Sequence, residues 1–113
     1  MKLAIIGSRG VFPNGFDEYV DGRITEIVSG GAAGVDSCAS AYAKKHGIKL
    51  VEFLPDYNGF GRAAPIVRNK LIVEYADEVL AFWDGSSRGT LSAIRYSEKL
   101  GKPCKIIICK KES

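Results

Sequence analysis

Five short apolar runs, each closed by glycine, proline or a polar cluster, set the narrowest limits on what this chain can become. They are KLAIIG (2–7), ITEIVSG (24–30), IKLVEFLP (48–55), EVLAFW (78–83) and PCKIIIC (103–109). In several of them the apolar residues are consecutive instead of alternating, the pattern of strands buried on both faces of a sheet. Between the runs lie segments of helical character: a weak one over 16–22, then 35–46, 65–76 and 91–100. Pro65 suits the first helical position and Gly101 a position just past a helix end. Strands alternating with helices predict an α/β domain, a doubly wound three-layer sandwich with a five-stranded, mainly parallel sheet.

Length and composition agree with one such domain over residues 1–113, because 113 residues can close one ordinary core. With 46% hydrophobic and 26% charged residues, the chain has the make-up of a globular protein and not of a disordered or fibrous one. No repeat, low-complexity tract or Pro/Ser-rich linker marks a boundary. No stretch approaches the roughly 18 consecutive apolar residues that span a bilayer, so no membrane partner is expected. The opening apolar run, LAII, stops at Gly7 without a cleavage site, which predicts a first strand and a cytoplasmic protein. Three cysteines, an odd number without CxxC spacing, indicate neither a disulfide framework nor a metal site. His46 has no partner at ligand or catalytic spacing and reads as a helix-end residue beside Gly47. There is no P-loop, nucleophile elbow or Cys/His pair, so any chemistry falls to carboxylates, hydroxyls and arginines.

In an open parallel sheet, ligands bind beyond the carboxyl ends of the strands, where strand order reverses. The segments that follow the first four runs are GSRG, SGGAAGVD, PDYNGFGRAAP and DGSSRGT, and they hold nine of the thirteen glycines. They also bring Arg9, Arg62, Arg68 and Arg88 to or near the same edge. Arg68, three residues after Pro65, is expected in a first helical turn, and Arg88 lies just ahead of the next helix. A cation there is disfavoured by about 0.3–1 kcal/mol, so two of them predict an anion between them, held by guanidinium groups and helix-end amides. The competing reading pairs each arginine with Asp36, Asp56 or Asp84 on a solvated rim. Gly30, Gly31 and Gly34 suit a phosphate cradle, yet glycines there serve equally in strand-to-helix packing. Asp36 and Asp84 read as acceptors from sugar hydroxyls, as general bases, or as acids favoured at a helix start. Trp83 and Tyr57 read as stacking platforms or as core. A net charge of +3 permits an anionic partner without naming one.

The motifs GSR (7–9), SGGAAGVD (29–36), YAKKHGI (42–48), PDY (55–57), AAPIVRN (63–69) and FWDGSSRGT (82–90) occur in the order seen in the YspA-like branch of the SLOG superfamily, which the chain resembles over nearly its whole length. The resemblance implies a Rossmann-like domain that binds a nucleotide or nucleotide-derived ligand. Carried over position by position, it implies a pocket lined by Gly7, Ser8, Arg9, Gly30, Gly31, Gly34, Asp36, Arg68, Asn69, Asp84, Gly85, Ser87, Gly89 and Thr90. Arg88 joins them on the charge argument. The chain departs from the branch at Tyr57, where tryptophan is usual, and before Pro65, where glycine is common.

Two related branches frame the alternatives. LOG-type phosphoribohydrolases are similar in the glycine-rich loop and the turn before the last helix, but they place a catalytic glutamate after that turn. Here Leu91, Ser92 and Ala93 follow Thr90, which counts against that reaction. DprA-like proteins, which bind single-stranded DNA, share GSR and an SGxAxGxD-like loop; a small net charge and a local arginine cluster favour a compact anion over a long backbone track. The expectation is therefore a nucleotide-ligand domain, a sensor or an enzyme cleaving an N-glycosidic or phosphate bond with Asp36 or Asp84 as base, the alternative being non-catalytic nucleic-acid binding. Relatives in the superfamily pair through helices, which implies a homo-oligomer.

Overall fold

The computed structural model describes residues 1–13 and 15–110. The strands β1 (Lys2–Gly7), β2 (Glu26–Ser29), β3 (Lys49–Glu52), β4 (Glu78–Trp83) and β5 (Cys104–Ile108) form one sheet in the order β3-β2-β1-β4-β5. Every neighbouring pair is parallel, so the sheet is wholly and not only mainly so. β1 and β4 lie side by side and bury their central residues, Leu3 to Ile6 and Val79 to Phe82, on both faces. That double burial is why their sequences are unbroken apolar runs. Each such side chain removed from water contributes about 1.5–3 kcal/mol before entropy is counted.

Helices cover the two faces. On one, α1 (Val35–His46) and the crossover between β1 and β2 pack against Leu3, Ile5, Ile27 and Phe82. On the other, α3 (Ala64–Tyr75) and α4 (Arg88–Lys99) pack against Ala4, Ile6, Val28 and Ala81. The result is the expected three-layer, Rossmann-like α/β domain. No helix among the described residues is long and apolar enough to cross a membrane.

Three local expectations change. The weak helix over 16–22 shrinks to a 3-10 turn, Phe16–Glu18. Phe16 is drawn inward edge-on to Tyr42 and Phe82, at centroid distances of 5.5 and 5.4 Å, and the Asp21 carboxylate takes the Arg23 amide at 2.9 Å to turn the chain before a helix can grow. The segment after β3, expected as loop, contains α2 (Tyr57–Phe60), whose N-cap Asp56 accepts from the Gly59 amide at 3.0 Å. A 3-10 turn, Gly61–Ala63, then feeds α3, which starts at Ala64 and makes Pro65 its second residue. Finally, α4 begins at Arg88, capped by Ser87, and not at Leu91. The far end of α3 has no glycine to close it. Instead, Lys102 Nζ donates to the carbonyls of Val73, Glu74 and Ala76 at 2.7, 2.7 and 2.6 Å.

Candidate functional site

The strand order turns back at β1, which leads to β2 and β3 on one side and accepts β4 on the other. A cavity of about 340 Å³ opens at the carboxyl ends of these two central strands. Its apolar floor is made by Ile6, Ile72 and Ala93, with Pro65 at the side. Its polar wall comes from every segment that ends nearby: Ser8 and Arg9 after β1, Ala32 and Asp36 at the start of α1, and Arg68 and Asn69 of α3. Asp84, Ser86 and Ser87 follow β4, and Gly89 and Thr90 belong to the first turn of α4.

Arg68 is the central group. It is the fifth residue of α3, one residue deeper than expected, and only 9% exposed. Its Nη1 donates to the Gly30 carbonyl and its Nε to Asn69 Oδ1, at 2.6 and 2.8 Å. Among the described residues it has no carboxylate at ion-pair distance. Burial pulls its pKa down, opposed by Asp36 and Tyr57, while neighbouring Arg9 pulls further down. A guanidinium nevertheless stays charged in a protein, so the cavity wall carries a desolvated cation with two hydrogen bonds to neutral oxygens.

Asp36 faces the same space, 8% exposed, and burial pushes its carboxyl above the ordinary value. The Ala32 amide, which donates to Oδ2 at 3.1 Å, and the Arg68 charge pull in the opposite direction and only partly offset burial. The wholly buried Ser29 hydroxyl lies near enough to lower the Asp36 pKa, yet has no partner at hydrogen-bond distance among the described residues. Asp84 is the contrary case. The amides of Ser86 and Ser87 donate to its Oδ1 at 2.9 and 2.7 Å and hold its carboxyl below the usual range. It therefore shapes the turn before α4 and is a weak base. Asp36, its carboxyl raised and not committed to the turn, is the better placed of the two to take or give a proton.

The hydroxyls of Ser8, Thr90 and Ser87 connect these parts, Ser8 to Thr90 at 3.4 Å and Thr90 to Ser87 at 3.2 Å. Ser87 Oγ caps α4 by accepting the Thr90 amide at 3.5 Å. The amides of Arg88 and Gly89 have no acceptor among the described residues, and Gly89 lines the cavity. A helix start with unbonded amides beside a buried guanidinium offers an anion both hydrogen-bond donors and positive potential. Trp83 Nε1 donates to the Ser87 carbonyl at 3.0 Å, so the only tryptophan reads this turn directly.

Of the residues expected at the site, Gly7, Ser8, Arg9, Asp36, Arg68, Asn69, Asp84, Ser87, Gly89 and Thr90 line the cavity. Gly30, Gly31, Gly34, Gly85 and Arg88 do not. Arg88 opens α4 with its side chain exposed and without an ion pair among the described residues, so the second arginine on the wall is Arg9. Gly30 stands behind the wall, where a side chain would displace the Arg68 guanidinium. Gly34, at φ 77°, lets the start of α1 close onto the Ser8 and Arg9 carbonyls. Gly31 lies against Leu54, and Gly85 stands in the open turn. The glycine loop thus serves packing more than contact. Sequence reasoning missed the floor residues Ile6, Ile72 and Ala93, which carry no signal apart from apolar periodicity, and Ser86, which the turn sequence did contain.

No protein-family model matches this chain, and no curated protein matches it. The class that fold and geometry define is a Rossmann-like parallel α/β domain with a cation-walled cavity at its topological switch point.

Proposed function

We propose that the protein binds a nucleotide or nucleotide-derived ligand in this cavity, as a YspA-like member of the SLOG superfamily. The observation that carries the reading is Arg68: a guanidinium 9% exposed, without a carboxylate at ion-pair distance among the described residues, on the wall that also holds the open amide end of α4. Asp36 acts on Arg68 from beyond ion-pair distance, and a phosphate between Arg68 and the helix end supplies a counter-charge in direct contact, in the two-pronged geometry that guanidinium favours. The cavity, about 340 Å³, lies near the small end of the roughly 300–1,000 Å³ range of ligand sites. It suits one compact nucleotide better than a polymer. The apolar floor takes the planar part of the ligand, and Asp36 accepts from a sugar hydroxyl. If bond cleavage occurs there, Asp36 is the base, since Asp84 is committed to the turn amides.

The test is a thermal-shift and Trp83-fluorescence titration with nucleoside phosphates and nucleotide sugars on wild type, Arg68→Lys and Arg88→Ala. The expected result is stabilisation and a fluorescence change in wild type and Arg88→Ala, and a loss of at least tenfold in affinity, about 1.4 kcal/mol, in Arg68→Lys. No response in wild type, or an equal response in Arg68→Lys, overturns the reading. Oligonucleotide binding that falls steeply with salt, without mononucleotide binding, replaces it with the nucleic-acid alternative.

A further inference from the structure

We propose that β5 is a docking edge for a second copy of this chain, the two β5 strands pairing antiparallel about a two-fold axis at Ile106. Among the described residues, β5 pairs only with β4. The Val79 amide donates to the Pro103 carbonyl at 2.9 Å and the Cys109 amide to the Trp83 carbonyl at 2.8 Å, so Pro103 and Cys109 turn their backbone groups toward β4. Along a strand that direction alternates. The amides and carbonyls of Cys104, Ile106 and Ile108 therefore point outward, and no described residue bonds them.

Edge strands are ordinarily blunted by charge, proline, bulges or short length. The opposite edge of this sheet follows the rule: β3 has four residues, its ends are the exposed Lys49 and Glu52, and Lys49 is paired with Glu26 at 3.3 Å. β5 does not. It has five residues with three consecutive isoleucines, of which Ile106 is 41% and Ile108 66% exposed. Its one lysine, Lys105, is drawn over the Tyr19 ring at 5.0 Å, away from the open edge.

The alternation also selects the register. Outward groups of two antiparallel strands must meet as hydrogen-bonded pairs, and centring on Ile106 sets Ile106 against Ile106, and Cys104 against Ile108 on both sides. Every outward group of both strands is then used. On one face, Cys104, Ile106 and Ile108 from the two copies merge into one apolar strip. On the other, Lys105 of each copy stands opposite Ile107 of its partner, in a groove that Ile107 shares with Glu18. The two-fold axis thus pairs the three outward residues of one strand with the same three of the other and leaves no outward group over, and this self-complementarity favours a second copy over an unrelated strand.

Sedimentation equilibrium over a concentration series, with amide exchange followed by NMR, tests this. Wild type is expected to pass from monomer to twice the monomer mass as concentration rises, with the Cys104, Ile106 and Ile108 amides slowing in step. Ile108→Lys, at the more exposed of the two outward isoleucines, weakens association at least tenfold. Ile66→Lys on the exposed face of α3 leaves it unchanged. A wild-type chain at monomer mass throughout overturns the proposal, as does a dimer whose three outward amides exchange at monomer rates or one broken by Ile66→Lys and not by Ile108→Lys.

Discussion

Gly30→Ala should weaken ligand binding although Gly30 never reaches the cavity. The backbone permits the change, because Gly30 is not among the glycines held at positive φ. The space does not: an added methyl would come within 2.8 Å of Arg68 Cζ and 3.0 Å of Asp36 Oδ2. The guanidinium has to swing away and give up its 2.6 Å bond to the Gly30 carbonyl. A hydrogen bond to a charged group contributes about 1.5–3 kcal/mol. Two effects offset part of that loss: water in the cavity can hydrate the displaced guanidinium, and Gly→Ala reduces unfolded-state entropy by about 0.4–1 kcal/mol. The net expectation is a destabilisation of about 1–2 kcal/mol. In urea this appears as a midpoint shift on the order of 1 M at constant slope. Binding should fall further than stability suggests, by roughly 10–100-fold, since the anion loses the Arg68 contact outright. A variant as stable as wild type with unchanged nucleotide affinity would refute the idea that Gly30 holds Arg68 in place.

The converse substitution is Gly89→Ala, where, beyond its chain neighbours and its own helix backbone, no described atom lies within 4 Å of the added methyl and φ is not positive. It should leave stability equal or raise it by up to about 1 kcal/mol in a urea melt, yet lower ligand affinity, because Gly89 lines the cavity. Lys102→Met should cost about 2–3 kcal/mol in the same assay: three carbonyls at the end of α3 lose charge-assisted donors, and only that of Glu74 lies where water readily replaces them. A loss under about 0.5 kcal/mol would exclude the lysine as the cap of α3. Asp36 carries a pH signature. Its folded pKa is raised above 3.8, so its contribution is full below 3.8 and is lost as pH rises through the folded value. Asp36→Asn should remove that component, so the wild-type-minus-variant difference in stability should fall from pH 3.8 toward neutrality; a constant difference would contradict a buried, raised carboxyl.

The fold was legible where burial is two-sided. KLAIIG and EVLAFW match β1 and β4 residue for residue because helices cover both faces of these central strands, so the apolar run and the strand end together. Toward the β3 edge the runs overshoot. Ile24 is core supplied by the crossover, Phe53 packs beyond the end of β3, and Leu54 is 69% exposed, so apolar character outlasts the ladder. At the site, the switch-point rule and the strand-end loops named the correct edge, but which arginine turns inward depends on helical phase, and phase depends on where each helix starts. Starting at Ala64, α3 places Ala64, Arg68 and Ile72 on one buried stripe at a spacing of four. Starting at Arg88, α4 buries Thr90, Ala93, Ile94 and Ser97, and Arg88 lies about 200° around the helix from Thr90, toward solvent. The sign of a charge at a helix start was therefore the weaker clue. An arginine on an apolar stripe is the stronger one, because a buried cation needs an anion and nothing protein-supplied stands at ion-pair distance from Arg68 among the described residues.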